Sequence, residues 1–444
     1  MNRRPVTTLV LAGLLAVPGF TASTVTASAA PTVRHATTRA SVATRGTQGN
    51  GQSAGPAISA NGRYIAFTSE GTNLVAGDTN DAQDVFVRDR ITGATTRVSI
   101  STRGTQADGS SFGPAAISAS GRYIAFSSSA TNLVAGTTGG VFVRDRVAGT
   151  TTLVSVATSG AKAAGGEPAI SADGRYVAFI SEASNLVAGD TNERPDVFVR
   201  DRVSRTTTRA TVATDGTQAN GDSFGPAAIS ADGRYVAFGS NASNLVAGDT
   251  NERPDVFVRD RVRGTTTRAS VATDGTQGSL NSLQPSISAN GRYVAFGSIA
   301  SNLVAGDTNG IVDVFVRDRV AGTTTRVNIS TRGAQTAHTD PDTMLEDSEL
   351  PTISADGRYV AFLSGAGNLV DCDTNGIVDV FVRDRVRGTT TRVSVATRGA
   401  QANQRSSEPA ISANGRYVAF SSDASNLVRG DTNGSSDVFV RAQP

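Results

Sequence analysis

Six times along the chain an aspartate is followed two residues later by an asparagine and six residues later by a second aspartate, usually within Gly-Asp-Thr-Asn-x-x-x-Asp. The sets are Asp78, Asn80 and Asp84; Asp190, Asn192 and Asp196; Asp249, Asn251 and Asp255; Asp307, Asn309 and Asp313; Asp373, Asn375 and Asp379; and Asp431, Asn433 and Asp437. Hard oxygens at positions 1, 3 and 7 of a tight loop suit Ca²⁺, so calcium is a candidate cofactor. An EF-hand is excluded, because its twelfth position would be Asp89, about 16 Å of extended chain beyond Asp84. The same side chains could instead cap turns by bonding backbone amides. On either reading a motif repeated six times is structural.

A recognition or catalytic site normally occurs once, so unrepeated residues carry more functional weight. Glu167, Gln284 and Glu408 share one offset before a repeated strand and are expected at the mouth of a central channel. His338 lies in an acidic stretch, residues 335–349, that could bind a cation or a basic partner or could be a solvated insertion. A Ser-His-Asp hydrolase needs a histidine, and only His35 and His338 exist, neither near a nucleophile motif. Two remote histidines cannot make a transition-metal cluster. A glycosidase needs two facing carboxylates, which Glu167 and Glu408 could supply. The balance points to a binding or scaffold module for a protein or polysaccharide. The alternative is a carbohydrate-active propeller using the channel carboxylates, although the absence of tryptophan weakens sugar stacking.

The elements that position these residues come from internal repetition. Ile-Ser-Ala-x-Gly-Arg-Tyr-(Ile/Val)-Ala-Phe begins at residues 58, 117, 170, 229, 287, 353 and 411, and fourteen of the 17 phenylalanines fall in two repeated places. Each unit reads as four short strands. In the fourth they are Ala227 to Ser230, Tyr235 to Ser240, Asp255 to Arg259 and Thr265 to Ala272. Runs such as Val-Ala-Phe and Val-Phe-Val do not alternate with polar residues, as suits strands covered on both faces. The last unit lacks its fourth strand, and a matching segment, Thr37 to Gln48, stands at the other end of the chain. The prediction is an all-β, seven-bladed propeller over residues 30–444, closed by its N-terminal strand. The Asp-Asn-Asp loops then share one face with the long acidic stretch. Arginines such as Arg63, Arg88, Arg90 and Arg97 are expected on the other face, as ion pairs linking strands and blades or as a basic docking face. Asn-Leu-Val in the loops, for example Leu74 and Val75, is expected to plug each loop against its blade.

The marker Ser-Ala-Asp-Gly-Arg-Tyr-Val-Ala-Phe, followed by Asp-Val-Phe-Val-Arg-Asp, resembles the TolB-type, WD40-like propeller repeat of bacterial exported proteins. The likeness runs from about Thr37 to Arg441, departing from the pattern in the lack of tryptophan and in the long loops. It implies the propeller fold. Because the family includes binding proteins, scaffolds and enzymes, it implies no single activity.

Residues 1–29 have the layout of a secretory signal peptide: Arg3-Arg4, an apolar run to Phe20, and Ala27-Ser28-Ala29. The run is too short for a membrane span, so a secreted, monomeric protein without a transmembrane segment is expected. The chain has 41 basic and 39 acidic residues, and removing the leader would leave them balanced, which argues against a nucleic-acid partner. Cys372 is the sole cysteine, so no intrachain disulfide is available and packing must supply the stability.

Overall fold

The computed structural model describes residues 35–337 and 349–443. The expected leader and His338 lie outside the described residues. The repeat folds as β2 (Ser53–Ile58), β3 (Tyr64–Ser69), β4 (Asp84–Asp89) and β5 (Ala94–Arg97), and six more copies end with β26 (Ser406–Ile411), β27 (Tyr417–Ser422) and β28 (Asp437–Ala442). Seven four-stranded antiparallel sheets result, and the first strand of each blade lies against the first strands of both neighbouring blades. The protein is a seven-bladed ring whose first strands surround the axis.

The expected closure is present. Strand β1 (Thr37–Arg39) supplies the outer strand of the last blade, pairing Thr37 with Arg441, Thr38 with Val440 and Arg39 with Phe439.

Apolar layers between blades hold the ring together. Ile65, Ala66, Phe67, Val85, Phe86 and Val87 are fully buried, as are their counterparts in most blades. The rings of Phe67 and Phe86 stack at 5.9 Å, an arrangement found in all seven blades. Burial of each such phenylalanine contributes about 1.5–3 kcal/mol. Leu74 is also buried, so the Asn-Leu-Val segment plugs its loop as expected.

Two features depart from the sequence reading. In the fourth unit the first strand begins at Ser223 rather than Ala227, and continues through a bulge. The bulge places a left-handed residue before proline on the inner strand of every blade: Gly55, Gly113, Glu167, Gly225, Gln284, Leu350 and Glu408, with φ between 50° and 69°. The fourth strand of that unit stops at Arg268 rather than Ala272, because the chain leaves the sheet to grip the next blade. Between the first two complete blades, Thr151 donates its backbone N–H to Thr102 Oγ1 (2.9 Å) and its hydroxyl to Ile100 O (2.5 Å), while Arg144 donates to Ser101 O (3.1 Å). Each short outer strand thus has its exposed edge covered by the preceding blade.

Candidate functional site

The six Asp-Asn-Asp loops share an arginine clip, while the glutamine that bonds the first aspartate in the first and last blades bonds the loop threonine in the other four. Asp78 and Asp84 flank the guanidinium of Arg97, with Nη1 2.9 Å from each carboxylate. Gln106 Nε2 donates to Asp78 (3.0 Å), Ser99 Oγ donates to Asp84 (2.5 Å), and Asn80 Nδ2 donates to Ala107 O (2.9 Å). Asn80 Oδ1 accepts from Ala82 N. The loop is therefore stapled to the outer strand and to the segment that follows it. Arg209, Arg268, Arg326, Arg392 and Arg39 do the same in the other five blades.

This corrects the placement of Arg97. The outer strand runs away from the turn between third and fourth strands, so the arginine at its far end reaches the loops and not the opposite face. The correction also bears on calcium. The carboxylates already face an arginine, and each asparagine donates its Nδ2 to a backbone carbonyl, so a Ca²⁺ would have to compete with the guanidinium for these oxygens. The Oδ1 of Asn309 is the one asparagine oxygen of the set that is buried without a partner. Among the described residues no group of three or more His, Cys, Asp or Glu side chains is placed to hold a metal.

The second blade tests the pairing within the chain itself. Thr137 and Gly140 stand where the aspartates should be, and Leu153 stands where Arg97 would be. The glutamine position is filled by Lys162, the only lysine, which donates to Ala135 O (2.5 Å). Carboxylates and arginine have been lost together.

On the opposite, turn-bearing face, Arg63 pairs with Asp89 at 2.7 Å. Tyr64 lies between its own blade's Arg63 (4.8 Å) and the next blade's Arg146 (4.5 Å), both over the ring. A Cβ on Gly121 would meet that ring at 2.2 Å, so only glycine fits there. These arginines link strands within blades and stack across blade boundaries, as one of the two sequence readings held. At the closing seam Ala442 and Gln443 replace the aspartate and the stacking arginine, although Gln443 N still donates to Arg416 O (2.7 Å). Installing Ala442→Asp with Gln443→Arg should raise the melting midpoint by about 1–2 °C, since exposed pairs and cation–π contacts are individually small. Calorimetry would measure this.

The two faces titrate in opposite senses. Hydrogen bonds from Arg122, Arg234 and Arg292 hold Asp145, Asp260 and Asp318 down at about 2. Their stabilisation is complete above the ordinary carboxylate pKa and is lost as pH falls through about 2. Burial raises Asp78, Asp190, Asp249, Asp373 and Asp431, and burial with the neighbouring Asp313 raises Asp307 to about 6. The Asp307 contribution is complete below the ordinary value and is lost as pH rises through about 6. Thermal melts should therefore show a shallow rise in midpoint from pH 7 to about 5 and a steep fall below about 3.

The channel residues separate. Glu408 Oε2 accepts from Gly55 N of the first complete blade (2.7 Å) and from Ser421 Oγ (2.8 Å), and Gln284 Oε1 accepts from Leu350 N of the next blade (3.0 Å). Both are cross-blade ties that offset their left-handed backbones. Glu167 is open to solvent and has no such bond among the described residues, while the chain around its carboxyl partly strips its hydration and raises it. The sequence reading grouped these three; the structure leaves one carboxylate available.

A cleft of about 610 Å³ on the loop-bearing face escaped the sequence reading. It lies between the first two complete blades, lined by Glu70, Thr72, Asp81, Ala82, Gln83, Ser110 and Phe112. Phe112 is 46% exposed. The signal was present: Phe20, Phe112 and Phe224 are the phenylalanines outside the repeated places.

The chain is thus a seven-bladed β-propeller of the velcro-closed kind, with structural polar clips and a cleft beside Phe112. No family model matches it, and no curated protein does. Solved structures similar to it include an oligogalacturonate lyase in complex with manganese (12% identity, TM-score 0.51, covering 92% of this chain and 93% of that one). Another is the β-propeller domain of the Trilobed protease from Pyrococcus furiosus (9% identity, TM-score 0.50, covering 88% and 95%), described as an open velcro. TolB from Acinetobacter baumannii also matches (16% identity, TM-score 0.40, covering 77% of this chain), and the present chain spans 63% of that protein. Among the described residues, no helix is long and apolar enough to cross a membrane.

Proposed function

We propose that the chain is an exported, non-catalytic binding module that takes a basic protein segment in the Phe112 cleft. The observation that carries this reading is the cleft's lining. Glu70 and Asp81 supply two carboxylates beside an exposed aromatic ring, and no cation lines the cleft. An arginine or lysine side chain would lay its apolar stem or charged head on Phe112 while meeting the acids. Export is supported by the leader-like layout of residues 1–29.

Two further observations favour binding over turnover. Glu408 already serves the backbone and a serine hydroxyl, so the carboxylate pair of a glycosidase lacks its second member. The Asp-Asn-Asp loops are read as arginine-clipped staples and not as calcium sites. A polysaccharide ligand is the second reading, favoured by Phe112 together with the neutral polar Thr72, Gln83 and Ser110.

Calorimetric titration with short Arg/Lys-containing peptides and with neutral oligosaccharides separates the two. Basic peptides should bind, and Phe112→Ala or Glu70→Gln should weaken them about tenfold without moving the melting midpoint. Sugar binding lost in Phe112→Ala would select the second reading. If neither ligand class responds to these substitutions, the cleft is not the site.

A further inference from the structure

Each described turn between third and fourth strands carries an exposed aliphatic side chain. Ile91, Val147, Val203, Val262, Val320 and Val386 are 72–76% exposed. Turns favour Gly, Pro, Asn, Asp and Ser for conformational reasons, so nothing local calls for a β-branched apolar residue there. The neighbouring position has drifted among the same six copies, reading Thr92, Ala148, Ser204, Arg263, Ala321 and Arg387. The apolar position has not left Ile or Val. A residue that is three-quarters exposed yet held constant while its neighbour varies is constrained from outside the molecule.

The surroundings are basic. Gly-Arg-Tyr, Asp-Arg and the turn tips bring sixteen arginines and nine aspartates to this face, an excess of seven positive charges. The described residues together have 38 basic and 35 acidic side chains, an excess of only three, so among them the positive charge is concentrated on this face. We propose that this face docks peripherally on an anionic lipid surface, the six aliphatic tips entering the boundary between headgroups and acyl chains.

The arrangement selects lipid over other anionic partners. A soluble polyanion would meet the arginines but would have no use for the tips. A second copy of the same face would bring like charges together. The tips stand one per blade around a ring, separated by the Arg–Tyr layer, and form no continuous patch. A rigid acidic protein would need six matching pits, whereas a fluid bilayer admits six separate insertions. The proposal does not depend on the Phe112 cleft, which opens on the other face.

Co-sedimentation of the full chain with vesicles tests it, using phosphatidylcholine alone and phosphatidylcholine with about 30% phosphatidylglycerol. Binding to the anionic vesicles should be at least about tenfold stronger and should weaken sharply in 0.5 M salt. Replacing all six tips by threonine (Ile91→Thr, Val147→Thr, Val203→Thr, Val262→Thr, Val320→Thr, Val386→Thr) keeps the β-branched shape and removes the apolar end. That variant should lose about tenfold or more of the vesicle affinity at an unchanged melting midpoint. Absence of wild-type binding overturns the proposal, as does equal binding by the threonine variant. Binding to heparin or to an acidic protein without binding to anionic vesicles also overturns it.

Discussion

Removal of residues 35–48 is expected to destabilise the protein by at least about 5 kcal/mol, comparable with the whole stability of many domains. The segment is short, but it does several jobs at once. It supplies β1, without which the edge of β28 would be bare. Arg39 lies between Asp431 and Asp437, at 3.4 and 2.8 Å, and Asp437 is fully buried. Stripping a buried carboxylate of its partner costs about 3–5 kcal/mol by itself. Ser41 Oγ donates to the same aspartate (2.5 Å) and Gln48 Nε2 donates to Asp431 (3.0 Å). Both clasps of the last blade also go: Thr37 bonds Val395 O and Thr397 of the blade before, while Val42 O accepts from Thr95 of the first complete blade. Denaturant unfolding of the truncated chain should show a lowered midpoint and lost cooperativity, and a synthetic peptide of residues 35–48 should restore both in a concentration-dependent way. A truncated protein that melts like the parent would remove closure as the source of stability.

How much of this was legible in the sequence depends on the range of the interaction. The count of blades, the edges of strands such as Tyr235–Ser240, and the pairing of the two chain ends follow from repetition and from the missing fourth strand. The bulge before each proline was less legible. Glycine fills that position in three blades and other residues in four, so no single residue type announces the left-handed backbone. The clasps were hidden because Thr102 and Thr151, in different blades, meet only when the ring closes. Arg97 was placed on the wrong face because the repeat gave its strand but not the consequence of that strand's direction. At the candidate site, Glu167, Gln284 and Glu408 do share one position, but it lies within the inner strand and not before it. Their shared offset could not tell which side chain the neighbouring backbone would claim. Phe112 was visible as an aromatic outside the repeat, yet its exposure arises from the juncture of two blades.

Arg268→Leu should cost about 3–5 kcal/mol, the second large effect. Arg268 Nη1 lies 3.2 Å from Asp249 and 3.0 Å from Asp255, and Asp255 is fully buried. The leucine fills the space but leaves two carboxylates facing each other in a poorly solvated site. The second blade shows how the loss can be accommodated, because there the carboxylates are absent as well. Combining Arg268→Leu with replacement of residues 249–255 by the shorter Thr-Thr-Gly-Gly of residues 137–140 should recover the midpoint to within about 1 kcal/mol of the parent. The difference between the two variants isolates the uncompensated charge from the missing packing, as a double-mutant cycle does. Since the clip's cation is part of the chain, excess chelator or millimolar calcium should leave the parent's melting curve unchanged. A midpoint that falls on chelation would instead assign the six loops to calcium, and a chimera as unstable as Arg268→Leu would mean that the guanidinium is not what the aspartates require.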